Sequence, residues 1–365
     1  MDRTHVLIES YDHQSSAELN ITFFEKLSVI KPIDVRFRHT KDVKPVDIEW
    51  CDVLVDVRGA NHLSAFVVRQ VKKAGRKTYT IIDDDLFELF PSTYDGNEFR
   101  KSLENVLENV DAVITPSKYL ADKLSDKFGV KSILINTIVE KAEFKGETSS
   151  DSVCVKLLYA AGAQHAPFFN QMITPILSRL YERYGDRISL TVIGPNVDLT
   201  DTGLKIERIN SMPYNQYRAY MNDHRFDIGL SPLFDSEFCR SKYFNKYLEY
   251  SKNNICGIYS DVIPYTLVVK NGVNGLLAPN DPSAWYEAIC KLVDDEDFRE
   301  KCIYQAKEHI LSDFSLKSIT NKLNNDLPAL FSYKAPQCRK SYCKFMNARY
   351  YYYAIKRHLI SAIKD

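Results

Sequence analysis

The chain has 365 residues, of which 45% are hydrophobic and 26% are charged. This length exceeds one ordinary domain and predicts two domains of about 150–180 residues, each with its own apolar core. The 48 basic and 48 acidic side chains give a formal net charge of zero, which excludes the global basic signature of a polyanion-binding protein.

The first 139 residues alternate short apolar runs with helical patterns. Strands are predicted at 6–8, 33–37, 53–57, 78–82, 112–115 and 132–135. Helices are predicted between them, at 15–29, 63–74, 98–108 and 118–127. Strands that alternate with helices in this way are typical of a parallel, doubly wound sheet, so residues 1–139 are predicted to form a Rossmann-like α/β domain.

A second alternating series follows a polar segment. Residues 140–152, EKAEFKGETSSDS, are rich in Ser, Thr and charge, and we predict that they form the linker. Strands are then predicted at 155–160, 188–193, 204–209, 228–230 and 255–259. Helices are predicted at 167–184, 214–223, 242–252, 282–293 and 297–311. Residues 153–331 therefore form a second predicted Rossmann-like domain, with ligands expected beyond the carboxyl ends of its strands.

The tail, residues 332–365, has a different composition. From residue 333 onwards it contains eight Lys or Arg, one acidic residue and a run of four tyrosines at 350–353. A helical spacing of three or four gives it one apolar face, formed by Tyr352, Ile355, Leu359 and Ile363. Two interpretations stay open: a basic amphipathic helix on an anionic membrane surface, or a terminal helix that packs back on the N-terminal domain.

The cysteines and the amino-terminal sequence bear on the compartment. Eight cysteines are scattered without a C-x-x-C pair or a His/Cys cluster, so we expect reduced and mostly buried thiols. MDRTHVLIES predicts a strand instead of a signal peptide, and no run of 18 apolar residues occurs. We therefore expect a cytoplasmic protein, and the basic tail leaves peripheral association with the inner face of the membrane open.

The segment 241–280 contains an ordered set of residues that suits a nucleoside diphosphate. Lys242 and Lys246 precede Glu249 in a helical pattern, and lysines can neutralise phosphate charge. The carboxylate of Glu249 suits the two hydroxyl groups of a ribose. A Gly-Val-Asn-Gly turn at 272–275 and an acidic helix with Trp285 complete the set.

This ordered set resembles the C-terminal half of group-1 glycosyltransferases of the GT-B fold, in the branch with a KS-type pattern. The resemblance implies two Rossmann-like domains that face a central cleft. In this family the second glutamate of an E-x7-E motif binds the donor ribose, and Glu249 matches that position. Ser241 replaces the first glutamate, and in this branch a lysine, here Lys242, takes the phosphate side. Lys246 is predicted to join Glu249 in binding the donor.

The loop after the first strand of the second domain contains Gly162, Gln164 and His165. The resemblance implies that this loop faces the donor phosphates, so we predict that Gly162 and Gln164 bind the donor. His165 joins Lys242 as a predicted catalytic residue, although a histidine in a surface loop is usually inert. The Arg and Lys that many relatives have just beyond this loop are absent.

Two further strand ends supply predicted donor-binding residues. Ser211 lies in a turn that the resemblance places beside the nucleotide base. Ser260 and Val262 follow the strand at 255–259, and backbone amides there are expected near the diphosphate.

Polar residues also follow two strands of the N-terminal, acceptor-side domain. Arg58 is predicted to act in catalysis by holding an acceptor phosphate, and a structural ion pair with Asp83, Asp84 and Asp85 is the open alternative. Three carboxylates can bind a divalent metal ion. An Asp before a helix also caps that helix, and the family generally needs no metal. We therefore expect capping and acceptor-side lining, and no metal site.

The resemblance implies a glycosyltransferase that moves a sugar from a nucleoside-diphosphate sugar to a glycan or lipid-linked acceptor in surface polysaccharide synthesis. It implies retention of anomeric configuration and no cofactor besides the donor substrate, and we expect no nucleic-acid partner. Two alternatives stay open: a sugar-nucleotide epimerase on the same fold, and an inactive transferase-like binding subunit. The missing first glutamate and the missing Arg/Lys pair motivate the second.

Overall fold

The computed structural model describes residues 3–11, 15–89, 94–139, 154–199 and 202–337. The chain divides into two compact units, of which unit 1 comprises Met1–Thr137 and Lys317–Asp365 and unit 2 comprises Ile138–Leu316. The sequence-based boundary of the second domain, at residue 331, is therefore later than this division. The predicted linker at 140–152 lies outside the described residues.

Unit 1 is built on a sheet in which every described strand pair is parallel. Its strands are β1 (Thr4–Ser10), β2 (Ile33–His39), β3 (Val53–Val57), β4 (Lys77–Ile81), β5 (Ala112–Thr115) and β6 (Ser132–Leu134). Its first helices are α1 (Ser15–Ile30), α2 (Pro45–Trp50), α3 (His62–Lys73), α4 (Leu86–Leu89), α5 (Tyr94–Asn109) and α6 (Lys118–Phe128). The order β2-β1-β3-β4-β5-β6 confirms the predicted doubly wound arrangement.

The central strands of unit 1 are buried on both faces. Leu7 and Ile8 in β1 and Leu54 in β3 have no exposed surface, which is why these strands are continuous apolar runs in the sequence. The predicted first strand ended at residue 8, whereas β1 continues to Ser10. Glu9 is consequently a completely buried strand residue, and its polarity is what ended the predicted strand too early.

Unit 2 is built on a second sheet with parallel pairing throughout its described strands. Its strands are β7 (Val155–Ala160), β8 (Ile188–Gly194), β9 (Lys205–Asn210), β10 (Ile228–Ser231), β11 (Cys256–Ser260) and β12 (Leu276–Ala278). Its helices are α7 (Ala166–Met172), α8 (Leu177–Tyr184), α9 (Tyr214–Asp223), α10 (Glu237–Arg240), α11 (Asn245–Lys252), α12 (Pro282–Asp294) and α13 (Glu296–Asp313). The strand order is β12-β11-β10-β7-β8-β9. Trp285, in α12, is the largest fully buried side chain in the core beside this sheet.

Two predicted helices of unit 2 differ from the structure. Residues 167–184, predicted as one helix, form α7 and α8 with the short 3-10 turn Thr174–Ile176 between them. Pro175 lies in this turn, and a proline has no N–H to continue an α-helix. The helix predicted at 242–252 begins only at Asn245, so Lys242 lies in the turn between α10 and α11.

The chain then passes through α14 (Leu316–Asp326) and α15 (Ala329–Ser332) to residues 333–337, which we call the C-terminal strap. Ala335 N donates to Asp52 Oδ1 at 2.9 Å, and Arg76 Nη1 donates to the Pro336 carbonyl at 2.6 Å. Asp52 and Arg76 directly precede β3 and β4, so the strap lies at the amino-terminal edge of the sheet in unit 1. The rest of the predicted tail helix, 338–365, lies outside the described residues.

Two predictions about the whole chain are tested by the described part. The six cysteines in it carry free thiols, and all except Cys154 are buried, as expected. None of the described helices is long and apolar enough to span a membrane.

Candidate functional site

The carboxyl edge of the sheet in unit 2 gathers the loops that the sequence singled out. Gly162 and His165 follow β7, Ser211 follows β9, and Val262 follows β11. Because all these strands are parallel, their following loops emerge at one edge of the sheet. The sequence prediction therefore placed its donor-side residues on one edge of one sheet.

The centre of the site is a contact between α9 and α11. Glu249 accepts hydrogen bonds from Lys246 Nζ at 2.8 Å on Oε1 and 3.0 Å on Oε2. Tyr217 OH donates a further, short hydrogen bond to Glu249 Oε1. About a fifth of each charged side chain is exposed, 23% for Lys246 and 22% for Glu249. The structure therefore presents one half-buried carboxylate, held by a cation and a phenol.

The phenol of Tyr217 is a hydrogen-bond donor at neutral pH. Burial, and then the charge of Glu249, raise the pKa of Tyr217 well above its usual range. The same two causes raise the pKa of Tyr214, on the same helix. The sequence analysis missed Tyr217, because it lies 32 residues from Glu249 and only the packing of α9 on α11 joins them.

Lys242 lies in the turn between α10 and α11. Its Nζ lies 4.3 Å from the centroid of the Phe238 ring, a cation–π contact that orients the ammonium group. Ser241 is completely buried, and its Oγ donates to the Glu237 carbonyl at 3.0 Å. Ser241, which the sequence analysis matched to the first glutamate of the E-x7-E motif, thus has a structural hydrogen bond inside its own helix turn.

A buried tyrosine of β7 holds the loop that follows this strand. Tyr159 OH donates to the His165 carbonyl at 2.8 Å, and the His165 ring meets Phe168 edge to face at 5.1 Å. Gly162 and Gln164 are exposed, and a Cβ on Gly162 would meet the Gln164 side chain at 2.7 Å. Gly162 therefore lets the Gln164 amide fold back over its own loop.

Gly194, at the end of β8, is a site residue that the sequence analysis missed. Its φ is +99°, and a Cβ there would lie 2.2 Å from the Ala161 carbonyl oxygen. Only glycine fits this close approach of the β7 and β8 strand ends. Ser211 Oγ donates to the Gly194 carbonyl at 3.3 Å, and this hydrogen bond joins the turn after β9 to the end of β8. The Gly194-Pro195 pair at a strand end was the available signal.

The two predicted residues after β11 have internal partners. Ser260 has no exposed surface, and its Oγ accepts a hydrogen bond from Leu233 N at 2.8 Å. Val262 N donates to the Ser260 carbonyl at 2.8 Å. These contacts fix the loops that follow β10 and β11 to each other, and a direct role in donor binding stays a prediction for both residues.

In unit 1, Arg58 pairs with the acidic turn, as the structural alternative predicted. Its Nη1 lies 3.0 Å from Asp83 Oδ1 and 3.5 Å from Asp84 Oδ2, and its backbone has the left-handed φ of +56°. Asp85 Oδ1 accepts from two backbone amides at the start of α4, and Lys123 Nζ lies 2.6 Å from Asp85 Oδ2. Capping by this turn is confirmed. A left-handed bulky residue at a strand end is often functional.

No protein-family model matches the sequence, and neither does any curated protein. Solved structures do match. HepE from Anabaena, in complex with UDP-glucose, superposes with a TM-score of 0.64 at 11% identity over 90% of this chain and 100% of its own. Sucrose-phosphate synthase from Thermosynechococcus elongatus matches with a TM-score of 0.61 at 12% sequence identity, over 90% of this chain and 99% of its own. The chain has the GT-B fold.

A third GT-B neighbour differs in length. TarM matches with a TM-score of 0.55 at 13% identity, and the match covers 75% of this chain. The matched part spans about half, 54%, of the TarM chain. The contact between Glu249, Lys246 and Tyr217 lies within unit 2.

Proposed function

We propose that this protein is a glycosyltransferase that uses a nucleoside-diphosphate sugar as donor. The observation that carries the proposal is the half-buried carboxylate of Glu249, held by Lys246 and Tyr217. The sequence resemblance matches this residue to a ribose-binding glutamate. The GT-B fold supports it, since one neighbour, HepE, was solved with UDP and with UDP-glucose.

In this proposal each donor group has a partner in unit 2. The ribose hydroxyls donate to Glu249, whose two oxygens offer more acceptor positions than its present partners fill. In this scheme Lys242 and the backbone amides near Gly162 face the diphosphate, and His165 adds a ring N–H. Ser211 borders the base. Preorganised donors of this kind stabilise charge as it develops on a leaving group.

The proposed reaction breaks the bond between the anomeric carbon and the oxygen of the diphosphate. The bonding electrons go to that phosphate oxygen, where Lys242 stabilises them. The acceptor hydroxyl oxygen bonds to the anomeric carbon, and its proton passes to the leaving phosphate. Retention of configuration follows if attack and departure share one face of the sugar, and no protein nucleophile is then needed.

We assign the acceptor to unit 1, with Arg58 as its phosphate-binding residue. The side chain is 19% exposed beside Asp83 and Asp84, so an acceptor phosphate would compete with these carboxylates. A glycan on a lipid carrier, as in surface polysaccharide synthesis, fits a chain whose last 33 residues, 333–365, are basic and rich in tyrosine. Neither a metal ion nor a further cofactor enters this scheme.

The test is a thermal-shift screen with nucleoside diphosphates, followed by a product assay with the sugar form of the best ligand. A ligand that binds only the folded chain raises the midpoint temperature of thermal unfolding. We expect one diphosphate to stabilise the protein and its sugar form to be consumed only with an acceptor. Consumption without acceptor would indicate an epimerase, and binding without turnover on any acceptor would indicate a binding subunit.

A further inference from the structure

Two linked hydrogen bonds inside unit 2, one buried and one partly buried, join the turn at 268–275, α11 and α13. Asn274 Nδ2 lies 2.9 Å from Tyr247 OH, and Tyr247 OH lies 2.7 Å from His309 Nδ1. Tyr247 has no exposed surface and Asn274 is 6% exposed. We call these three residues the positioning chain.

The direction of each hydrogen bond follows from the neighbours of Asn274. Lys270 N donates to Asn274 Oδ1 at 2.7 Å, which fixes the oxygen of the amide. The amide nitrogen must then donate both of its hydrogens, to Tyr247 and to the Val268 carbonyl at 3.1 Å. Because Tyr247 accepts from Asn274, its own proton points to His309. The Nδ1 atom of His309 is therefore an acceptor, and this imidazole is neutral.

The middle residue of the positioning chain, Tyr247, lies on the helix that carries the proposed donor site. Tyr247 directly follows Lys246 and lies two residues before Glu249 in α11. A buried hydroxyl that loses its partners leaves polar groups without compensation, which is costly. The orientation of α11 is therefore coupled to both Asn274 and His309.

We propose that Asn274, Tyr247 and His309 are positioning residues that fix α11 and so hold Lys246 and Glu249 in place for the donor. The proposal rests on the proposed function for its consequence, while its structural content is independent of any ligand. It gives the Gly-Val-Asn-Gly turn at 272–275 a role in bracing the ribose-binding helix.

The positioning chain also makes the helix sensitive to acid. A proton on His309 Nδ1 would place a second donor against Tyr247, whose hydroxyl then loses its acceptor. Burial lowers the pKa of His309, Lys270 on the neighbouring turn acts in the same direction, and Asp313 on α13, 3.4 Å from Nε2, opposes both. Apart from these charges, the ring faces Tyr247 and the apolar Phe314.

The test compares Tyr247→Phe and His309→Asn with a matched control, Tyr250→Phe. Asparagine at position 309 keeps an acceptor oxygen near the position of Nδ1 but cannot take up a proton in this range. Tyr250→Phe removes one buried tyrosine hydroxyl from the same helix, where it donates to the Leu230 carbonyl at 2.9 Å, outside the positioning chain. Amide hydrogen exchange of residues 245–252 is measured from about pH 8 to about pH 4, a range that extends well below the ordinary pKa of histidine because the pKa of His309 is lowered.

In the wild type and in Tyr250→Phe we expect protection of α11, corrected for intrinsic exchange, to fall as the pH drops. In Tyr247→Phe it should be low at every pH, and in His309→Asn it should stay high at every pH. Equal pH dependence in His309→Asn and the wild type would overturn the proposal. So would equal protection profiles for Tyr247→Phe and Tyr250→Phe.

Nucleotide binding is measured as a second, separate part of the test. Calorimetry with UDP should show about tenfold weaker binding for Tyr247→Phe than for Tyr250→Phe, because only Tyr247→Phe removes the contacts of α11 with Asn274 and His309. If UDP and other nucleoside diphosphates do not bind the wild type, the proposed function fails while the exchange data still decide the positioning chain. If the exchange profiles do not differ as expected, the positioning chain fails whatever the nucleotide does.

Discussion

Glu9 and Asp56 lie opposite each other in the neighbouring strands β1 and β3, and both side chains are completely buried. Two buried carboxylates on directly paired strand positions cannot both be charged, because like charges repel strongly away from water. Asp56 Oδ2 already accepts from Thr80 Oγ1 at 2.5 Å and from Gly59 N at 3.1 Å. Three donors thus converge on Asp56 when Glu9 carries the proton. Burial, and then the charge of Asp56, raise the pKa of Glu9 well above its usual range.

We predict opposite outcomes for Glu9→Gln and Asp56→Asn. The glutamine amide can donate to Asp56 as protonated Glu9 does, so this variant should fold at neutral pH. An asparagine at position 56 can keep its oxygen on Thr80 and Gly59, but its NH2 group then faces Glu9 and cannot accept the Glu9 proton. Asp56→Asn should therefore lose about 1–3 kcal/mol of unfolding free energy. Denaturant titration measures both. An Asp56→Asn protein as stable as Glu9→Gln would contradict the assignment of the proton to Glu9.

The same pair gives a pH dependence with a definite sign. The pKa of Glu9 is higher in the folded than in the unfolded chain, so its contribution is complete below the unfolded value of about 4.3. That contribution is lost as the pH rises through the folded pKa. Glu9→Gln should remove this loss, and denaturant titrations at a series of pH values would show a flatter profile. A slope as steep as in the wild type would assign the effect to another group.

Lys242→Ala tests the donor-phosphate role. Loss of one charge-assisted contact costs about 1.5–3 kcal/mol, so kcat/KM for the donor should fall roughly 10- to 150-fold. Lys291→Ala is a matched control, because Lys291 Nζ lies over the Phe298 ring at 4.2 Å as Lys242 lies over Phe238 at 4.3 Å. The control should keep wild-type kinetics. Equal kinetics for the two variants would remove Lys242 from the proposed site.

Glu249→Gln tests the ribose contact. An amide offers one acceptor oxygen where the carboxylate offers two, so the KM for the donor should rise, with a smaller effect on kcat. Glu296→Gln is the control, since Glu296 makes a similar contact with Arg299 three residues on, at 3.2 Å, and is 78% exposed. If calorimetry gives both variants the nucleotide affinity of the wild type, Glu249 serves only the packing of α9 on α11.

The sequence predicted the strands at 53–57 and 112–115 well, because strands buried on both faces are continuous apolar runs. It also predicted which loops gather at one edge, since that follows from parallel pairing alone. It could not predict the partner of Glu9, because strand register brings Asp56 beside it from a distant part of the chain. Tyr217 and His309 were missed for the same reason: their contacts depend on helix packing, which leaves no local pattern.

We predict that activity does not require an added divalent metal. Asp83 and Asp84 pair with Arg58, and Asp85 pairs with Lys123 and caps α4, so each carboxylate of this turn has a protein partner. Lysine and backbone amides supply the positive potential at the proposed diphosphate site instead. Turnover in EDTA should equal turnover in magnesium or manganese. Complete loss in EDTA, restored by either ion, would make the acidic turn a metal site.

The final prediction separates the two roles proposed for the tail by two truncations. Removing 338–365 takes away seven of the eight basic residues and all four consecutive tyrosines but leaves the C-terminal strap. We expect this chain to fold and to bind anionic liposomes more weakly, because each Lys or Arg near such a surface contributes about 1 kcal/mol. Its turnover on a soluble acceptor should change less than its liposome binding.

Removing 333–365 also deletes the strap. Asp52 is 7% exposed and Arg76 is 4% exposed, so the loss of Ala335 and Pro336 withdraws hydrogen-bond partners from a carboxylate and a guanidinium that are otherwise buried. This chain should unfold about 1–3 kcal/mol more easily than the chain that ends at residue 337. Equal stability of the two truncated chains would show that the strap does not anchor unit 1. Full liposome binding by the chain that ends at residue 337 would refute the membrane role of residues 338–365. Any weakening of liposome binding by added salt would then come from charges elsewhere in the chain.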